Sequence, residues 1–261
     1  MKSFKSGSNL KPIYCEVEYT GQELISCRWV CTEKLKGNQL TCKARLVARG
    51  FEEDSSKLSK KSPTCSKYSL RLLLSILCSK HWHIHSIDIK SAFLQGMPLK
   101  RDVYLSPPKE ANTTYIWKLN HAVYGLTDAC KHWYDKVKQE LLALNVFVSK
   151  LDPAVFTYHK NGELQGILIV HVDDFLFGGS ELFYINVIEH LRKVFVVGLE
   201  ETEHFKYIGL NVAQTGNQIF LSLTDYIESI DTFTISYARK LEKMLFSLKK
   251  NTPCLGISLV R

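Results

Sequence analysis

Residues 167–179 read ILIVHVDDFLFGG, with two adjacent acids, Asp173 and Asp174, in the middle of apolar, β-branched and aromatic residues. The runs on either side are typical of buried strands. Removing two neighbouring carboxylates from water is costly unless a cation or strong donors meet them. The pair is therefore either the tip of a hairpin, where Asp is common, or a metal site.

A third acid interrupts apolar sequence in the same way. Asp88 ends a short strand predicted over His83–Asp88, and the next residues, 89–96, read IKSAFLQG. An acid at the end of one core strand can meet an acidic pair at the turn of another if the strands are neighbours. Three such carboxylates can hold two divalent cations, and hard oxygen ligands favour Mg²⁺ or Mn²⁺.

The excess of positive over negative residues is confined to the first third of the chain. The net charge is +8, and residues 1–90 contain 16 Lys and Arg against 8 Asp and Glu, so the remainder is neutral. A one-sided basic surface suits a polyanion such as nucleic acid. A solubilising face explains the same charge, and the charge alone does not choose between the two.

Other classes of protein are excluded by simple patterns. No apolar run reaches membrane-spanning length, and the first residues lack the apolar core of a signal peptide. The eight cysteines include no Cys-x-x-Cys pair, which favours free thiols in a reducing compartment. The sequence therefore predicts a cytoplasmic or nuclear protein without a membrane partner.

Short strands and helices alternate in a way that predicts an α+β fold with an antiparallel sheet. Ser66 is a candidate cap for a helix through Leu77, and Asn161-Gly162 is a strong hairpin signal. The other predicted elements are strands at Arg28–Cys31 and Leu46–Ala48, a helix through Trp133 and Leu141, a helix after Ser180 carrying Ile185, Ile188 and Leu191, and a last hairpin of Tyr207–Val212 with Ile219–Leu223.

Six segments in order resemble the reverse transcriptases of copia-type retrotransposons, part of a Pol polyprotein. The two strongest are Asp88–Gly96, similar to their Asp-Val-x-x-Ala-Phe-Leu-x-Gly block, and His171–Asp174, similar to their Tyr-Val-Asp-Asp box. The others are Lys43–Phe51, Val103–Pro108, Val123–Leu126 with Trp133, and Phe205–Leu210. Each segment alone is weak, but six in the correct order make coincidence very improbable.

The resemblance implies a right-hand polymerase fold with fingers and an antiparallel palm sheet flanked by helices, without a complete thumb. It implies an N-terminal extension at 1–27, a fingers-palm domain at 28–229 and a truncated tail at 230–261. The implied activity is RNA-directed DNA synthesis on an RNA or DNA template-primer from deoxynucleoside triphosphates. The other polyprotein domains are absent from this chain, and an intact element would place the enzyme in a cytoplasmic virus-like particle or the nucleus.

The resemblance also assigns roles to residues. Asp88, Asp173 and Asp174 take the places of the catalytic, metal-binding carboxylates, with Mg²⁺ or Mn²⁺ as cofactor. Arg45, Ala92, Phe93 and Gly125 take the places of nucleotide-binding residues, with Phe93 as the ring that crowds a ribose 2′-hydroxyl. Lys43, Arg49, Lys60 and Lys61 are candidate nucleic-acid contacts. Arg45 as a surface cation, Phe93 as a core aromatic and Gly125 as a turn glycine remain open alternatives.

Departures from the family pattern support a second hypothesis, a catalytically inactive, decayed fragment that at most binds nucleic acid non-specifically. His171 replaces the usual aromatic residue beside the acidic pair. Thr127 and Asp128 stand where the family has Lys and Gln. Asp128 is expected to place a negative charge near the anionic nucleotide. Restoring Lys and Gln at these positions, with a thumb appended from a related element, is therefore expected to raise activity.

Overall fold

The computed structural model describes residues 12–36, 39–54, 56 and 58–230. The described strands are β1 (Tyr14–Val17), β2 (Leu24–Ile25), β3 (Cys27–Lys36), β4 (Gln39–Ala48), β5 (His85–Ile89), β6 (Tyr104–Leu105), β7 (Ile116–Leu119), β8 (Val146–Val148), β9 (Val155–Lys160), β10 (Glu163–His171), β11 (Asp174–Gly179), β12 (Val197–Thr202), β13 (His204–Tyr207), β14 (Leu210–Thr215) and β15 (Gln218–Ser222). The helices are α1 (Lys67–Lys80), α2 (Ala129–Ala143), α3 (Glu181–Phe183, a π-helical turn at Tyr184–Ile188, then Glu189–Val194) and α4 (Thr224–Glu228).

The chain forms two compact units. Unit 1 contains the described residues up to Thr64, together with Lys90–Val146 and Val194–Val196, and unit 2 contains Cys65–Ile89, Phe147–Lys193 and the described residues from Val197 onwards. The described part of the segment before residue 28 belongs to unit 1, because β1 pairs with β7 and β2 pairs with β6. Most of the predicted tail, residues 231–261, lies outside the described residues.

Unit 2 is built on a six-stranded sheet with the order β12-β5-β11-β10-β9-β8. Its pairs from β12 to β9 are antiparallel, which agrees with the prediction of an antiparallel sheet. The hairpin signal at Asn161-Gly162 joins β9 to β10, and both residues have positive φ, which Asn and Gly tolerate better than other residues. The apolar sequence around the acidic pair therefore forms the two central strands.

The central strands are buried on both faces, which explains why their sequence is continuously apolar rather than alternating. Ile169 and Leu176 face the same core cluster as Leu73 and Leu77 of α1. Gly166 of β10 leaves room on the opposite face for the ring of Phe183 from α3, because a Cβ there would overlap that ring. Ser66 caps α1 as predicted, since its side chain accepts a hydrogen bond from the Ser69 N–H at 3.1 Å.

Two predicted elements of unit 2 differ in detail in the structure. In the helix predicted after Ser180, Ile185 is 59% exposed, while Val187 is buried. The π-helical turn adds a residue to one turn, so the buried face is rotated relative to a regular helix. The last hairpin is a three-stranded sheet, β13-β14-β15, because the chain turns at Ile208-Gly209, where both residues have positive φ.

Unit 1 combines a four-stranded sheet, β1-β7-β6-β2, with the long hairpin β3-β4. The predicted strands at Arg28–Cys31 and Leu46–Ala48 are confirmed inside this hairpin, and α2 matches the helix predicted through Trp133 and Leu141. Gly37 and Asn38, between β3 and β4 in the sequence, lie outside the described residues. Of the helices in the described ranges, none has the length and apolar character needed to cross a membrane.

Candidate active site

Two of the three predicted carboxylates are direct cross-strand neighbours in unit 2. Asp88 of β5 is the Cα partner of Asp174, the first residue of β11. Directly opposed residues of an antiparallel pair point to the same face of the sheet. The structure thus brings Asp88 and Asp174 together although they lie far apart in the sequence.

Asp173 completes the group from the tight turn between β10 and β11. The turn contains only Val172 and Asp173, because His171 and Asp174 close the hairpin as a pair. The Asp173 carbonyl oxygen accepts a hydrogen bond from the Ile89 N–H at 2.8 Å, which ties the turn to the residue after Asp88. Val172 has φ of 57°, a left-handed conformation that is strained for a β-branched residue.

The electrostatics of unit 2 show that the three acids act on one another. Burial raises the pKa of the Asp174 carboxyl, and the nearby charges of Asp173 and Asp88 raise it further, to about 6. Like charges that cannot move apart disfavour ionisation of one another. A bound cation relieves that repulsion, so the arrangement fits the hypothesis of a metal site better than that of a simple hairpin tip.

Gly198 is a residue of this site that the sequence reasoning missed. The pairing of β12 with β5 shifts between Val197 and Leu199, so Gly198 is the extra residue of a bulge. A Cβ at Gly198 would lie 2.5 Å from the Asp88 Oδ2 atom. The absence of a side chain therefore leaves space for the Asp88 carboxylate. A glycine inside strand-like sequence is a signal of such a bulge or close approach.

His171 is the Cα partner of Asp174 and points to the same face of the sheet. Its Nδ1 atom is buried and has no hydrogen-bond partner among the residues that the structure describes. The replacement of the family's aromatic residue thus places an imidazole in the same cross-strand row as two carboxylates.

The chemistry of the donor set fits a hard divalent cation, because the three acids supply oxygen ligands and repel one another without a counter-charge. Within the described ranges, no group of three His, Cys, Asp or Glu side chains has a geometry that could already hold a metal ion. The backbone positions of Asp88, Asp173 and Asp174 are set by the sheet, whereas binding a cation requires their side chains to turn inward.

The predicted nucleotide-binding residues of unit 1 form a separate cluster around Tyr124. The guanidinium carbon of Arg45 lies 5.9 Å from the centre of the Tyr124 ring. The Phe93 ring lies 5.0 Å from the same ring, and Phe93 is half-buried against the core of this unit. The sequence reasoning did not single out Tyr124, although it lies within a segment that resembles the family.

The backbone conformation at residue 125 and its close contact with β4 allow only glycine at this position. Gly125 has φ of +91°, and a Cβ there would overlap the carbonyl oxygen of Ala48. The Ala48 N–H in turn donates to the Tyr124 carbonyl oxygen at 2.8 Å. The interpretation of Gly125 as a turn glycine is therefore supported, and contact with a base pair stays a prediction. Ala92 is buried, with 2% of its surface exposed, and its nucleotide role also stays a prediction.

Asp128, which is expected to place a negative charge near the nucleotide, is paired with a cation of unit 1. Asp128 is buried, and its carboxylate accepts hydrogen bonds from Arg101 Nη2 at 3.0 Å and Nε at 3.3 Å. Burial alone would raise the pKa of this carboxyl, but hydrogen bonds from His132 and Arg101, together with the Arg101 charge, lower it to about 2. The departure from Gln is thus compensated inside the protein.

The basic residues of the β3-β4 hairpin lie on one face. Lys43 and Arg45 lie opposite Thr32 and Val30, which are on the same face of β3 as Arg28. The side chains of Arg28, Lys43 and Arg45 therefore point to one face of the hairpin. Lys60 and Lys61 are exposed in the loop before α1. Arg49 is also exposed, but its Nη1 atom lies 3.8 Å from Glu52 Oε1, and this carboxylate partly offsets the attraction of Arg49 for a phosphate. The candidate nucleic-acid contacts are all at the surface of unit 1.

Comparison with known proteins identifies the class to which this fold and this acidic group belong. Residues 16–244 match the family described as reverse transcriptase (RNA-dependent DNA polymerase), and the chain belongs to that family. The resemblance to copia-type Pol polyproteins is confirmed.

Individual relatives agree with this assignment. The chain is 31% identical over 215 residues to the retrovirus-related Pol polyprotein from transposon RE1 of Arabidopsis thaliana, a match that covers 78% of this chain and 14% of that protein. It is 27% identical over 238 residues to that from transposon TNT 1-94 of Nicotiana tabacum, covering 86% of this chain and 18% of that protein. The chain therefore spans less than a fifth of the length of these relatives.

A solved structure supports the fold independently of close sequence similarity. The telomerase of Candida albicans, solved in complex with a fragment of telomeric RNA, matches with a TM-score of 0.51 and 11% identity, over 91% of this chain and 50% of that one. The predicted α+β polymerase fold is confirmed.

Proposed function

We propose that this reverse transcriptase domain is an RNA-directed DNA polymerase in which Asp88, Asp173 and Asp174 bind two divalent cations, Mg²⁺ or Mn²⁺. The observation that carries the proposal is the placement of three carboxylates at one end of two paired strands. Burial raises the pKa of Asp174, and the charges of Asp173 and Asp88 raise it further. When bound, the cations would supply activation of a primer 3′-hydroxyl and neutralisation of the departing pyrophosphate.

The residues of the chain have three tasks in this proposal. The sheet and the β10-β11 turn fix the backbone of the three acids, whose side chains would turn to bind the cations. Arg45 offers forked N–H donors to the phosphate oxygens of a deoxynucleoside triphosphate. Phe93, supported by the ring of Tyr124, presents an aromatic edge that excludes a ribose 2′-hydroxyl.

Binding of an RNA or DNA template-primer is assigned to the basic residues of unit 1. Arg28, Lys43 and Arg45 on one face of the hairpin, with Lys60 and Lys61 in the following loop, suit a phosphate backbone. The same observation favours a second candidate function, nucleic-acid binding without catalysis. The pairing of Asp128 with Arg101 weakens one argument for that alternative, because the carboxylate at residue 128 forms an ion pair inside unit 1.

Primer extension on an RNA template with deoxynucleotides and Mg²⁺ tests the proposal. Wild type is expected to extend the primer, and Asp173→Asn is expected to abolish extension and weaken Mn²⁺ binding in calorimetry while template binding persists. Glu163→Gln serves as the control, because Glu163 is an exposed acid of the same sheet. Template binding without extension by wild type would favour the second function, and activity in Asp173→Asn would contradict the first.

A further inference from the structure

A single guanidinium joins two carboxylates in the interior of unit 1. Arg101 Nη2 lies 2.9 Å from Glu53 Oε2 and 3.0 Å from Asp128 Oδ1. The side chains of Glu53 and Asp128 are each only 7% exposed. His132 Nε2 lies 3.3 Å from Asp128 Oδ2. Buried carboxylates of this kind are tolerated only when a cation and hydrogen bonds compensate for their lost hydration.

Each carboxylate is attached to a different part of the chain. Glu53 lies just after the hairpin β3-β4, and its Oε1 atom accepts the Thr127 N–H at 3.1 Å. The Thr127 hydroxyl donates to the Gly50 carbonyl oxygen at 3.2 Å. Asp128 immediately precedes α2, and its carbonyl oxygen accepts the His132 N–H. The Arg101 side chain therefore links the end of the hairpin to the start of the helix.

The loop held by this link contains the residues that face Arg45 and Ala48. Tyr124 and Gly125 lie within three residues of Thr127 in the sequence, and Gly125 packs against the Ala48 carbonyl with no space for a side chain. A small displacement of the loop would thus move Tyr124 relative to Arg45 and Phe93. Such displacements away from the chemistry can lower rates considerably, because reacting groups must be held in place.

We propose that Arg101 is a positioning residue, which fixes the Tyr124–Asp128 loop against the β3-β4 hairpin and so sets the nucleotide-contacting cluster. Arg101 and Asp128 form a matched pair in this chain. Asp128→Gln alone leaves Arg101 with one carboxylate instead of two and loosens the loop, the opposite of the improvement that the sequence alone suggests. The effect on nucleotide rests on the proposed function, whereas the loop contact does not.

The test uses the full chain and four variants. Arg101→Gln removes the charge, Arg101→Lys keeps it without the paired donors, Asp128→Gln removes the partner, and a double variant, Arg101→Gln with Asp128→Gln, removes both. Lys100→Gln is the matched control, because Lys100 is an exposed cation next to Arg101 in the sequence. The measurements are amide hydrogen exchange at Ala48 and Thr127, and KM and kcat for a deoxynucleotide in primer extension.

Arg101→Gln is expected to speed exchange at both amides and raise KM, each by about tenfold or more, because charge-assisted hydrogen bonds are lost. Its effect on kcat is expected to be smaller. Arg101→Lys should be intermediate, and the double variant should resemble the single variants rather than the product of their effects. The control should match wild type.

Unchanged exchange at Ala48 and Thr127 in both Arg101 variants would overturn the inference, as would faster exchange with an unchanged KM. If the Arg101→Gln chain fails to fold, hydrogen exchange and KM of the Arg101→Lys chain test the inference. A wild-type chain without primer extension would contradict the proposed function alone. Hydrogen exchange alone would then test whether Arg101 fixes the Tyr124–Asp128 loop against the β3-β4 hairpin.

Discussion

Asp88 and Asp174 face each other directly across the antiparallel pair of β5 and β11. This register places two carboxylates side by side on one face of a sheet whose interior is otherwise apolar. Opposed like charges destabilise a sheet, so the pairing is unfavourable for folding in the absence of a cation. It is the kind of local conflict that is retained at functional sites.

Gly198→Ala is expected to impair the metal site without unfolding the protein. The new Cβ would lie 2.5 Å from Asp88 Oδ2, so the carboxylate must move away from its present position. We expect primer extension to fall on the order of tenfold to a hundredfold, because small displacements of catalytic groups are costly. Mn²⁺ affinity should fall with it in calorimetry. Glu201→Gln in the same strand is the control, and full activity in Gly198→Ala would show that the Asp88 position does not matter.

Val172→Asn is expected to stabilise the protein. Val172 has φ of 57°, a conformation that costs a β-branched residue roughly 1 kcal/mol and that Asn adopts more easily. The free energy of unfolding in urea should rise by about that amount. Val172→Ala keeps a Cβ at the same φ and should gain less. Equal stability of the three proteins would mean that the turn relaxes in solution.

The Arg101–Asp128 pair predicts a specific dependence of stability on pH. The pKa of Asp128 is lowered from 3.8 to about 2 in the folded chain, so its contribution is present above the unfolded value and is lost as pH falls towards the folded value. Asp128→Asn should therefore destabilise the protein near neutral pH, and the difference from wild type should shrink between pH 3.8 and about 2. Urea unfolding at a series of pH values measures this. A difference that stays constant over that window would contradict the pairing in solution.

Nucleic-acid binding is expected to be electrostatic and independent of sequence. Replacing Lys43, Arg49, Lys60 and Lys61 together with Ala should weaken binding to all templates alike. The slope of log K against log salt should become shallower by roughly three to four, because each of the four phosphate contacts releases nearly one counterion. Fluorescence anisotropy with two unrelated templates checks this. Replacing four lysines of unit 2 is the control, and an unchanged slope in the unit 1 variant would assign binding elsewhere.

Phe93→Ala is expected to relax discrimination between deoxynucleotides and ribonucleotides. The Phe93 ring packs against Tyr124, and its removal opens space beside the position proposed for the sugar. Incorporation of ribonucleotides should rise relative to deoxynucleotides, as measured by primer extension with each triphosphate. Phe93→Tyr keeps the ring and should keep the discrimination. A variant that loses both activities equally would indicate that Phe93 is only a core residue.

The sequence by itself determined the local elements and the family of the protein. The Asn161-Gly162 turn, the Ser66 cap and the apolar strands around Asp173 and Asp174 all follow from short-range patterns, because turns, caps and burial depend on neighbouring residues. The order of the family-like segments then identified the acids as a group. These features need no knowledge of which distant strands meet.

The tertiary structure alone decided which side chains meet across long stretches of chain. Three contacts join segments that are remote in sequence. They are the pairing of Asp88 with Asp174, the close approach of Gly198 to Asp88, and the ion pair between Arg101 and Asp128. Strand order and side-chain contacts of this kind leave no local signal, because the residues involved suit many surroundings equally well. The sequence therefore made Asp128 look like an uncompensated charge, whereas packing brought Arg101 to within 3.0 Å of it.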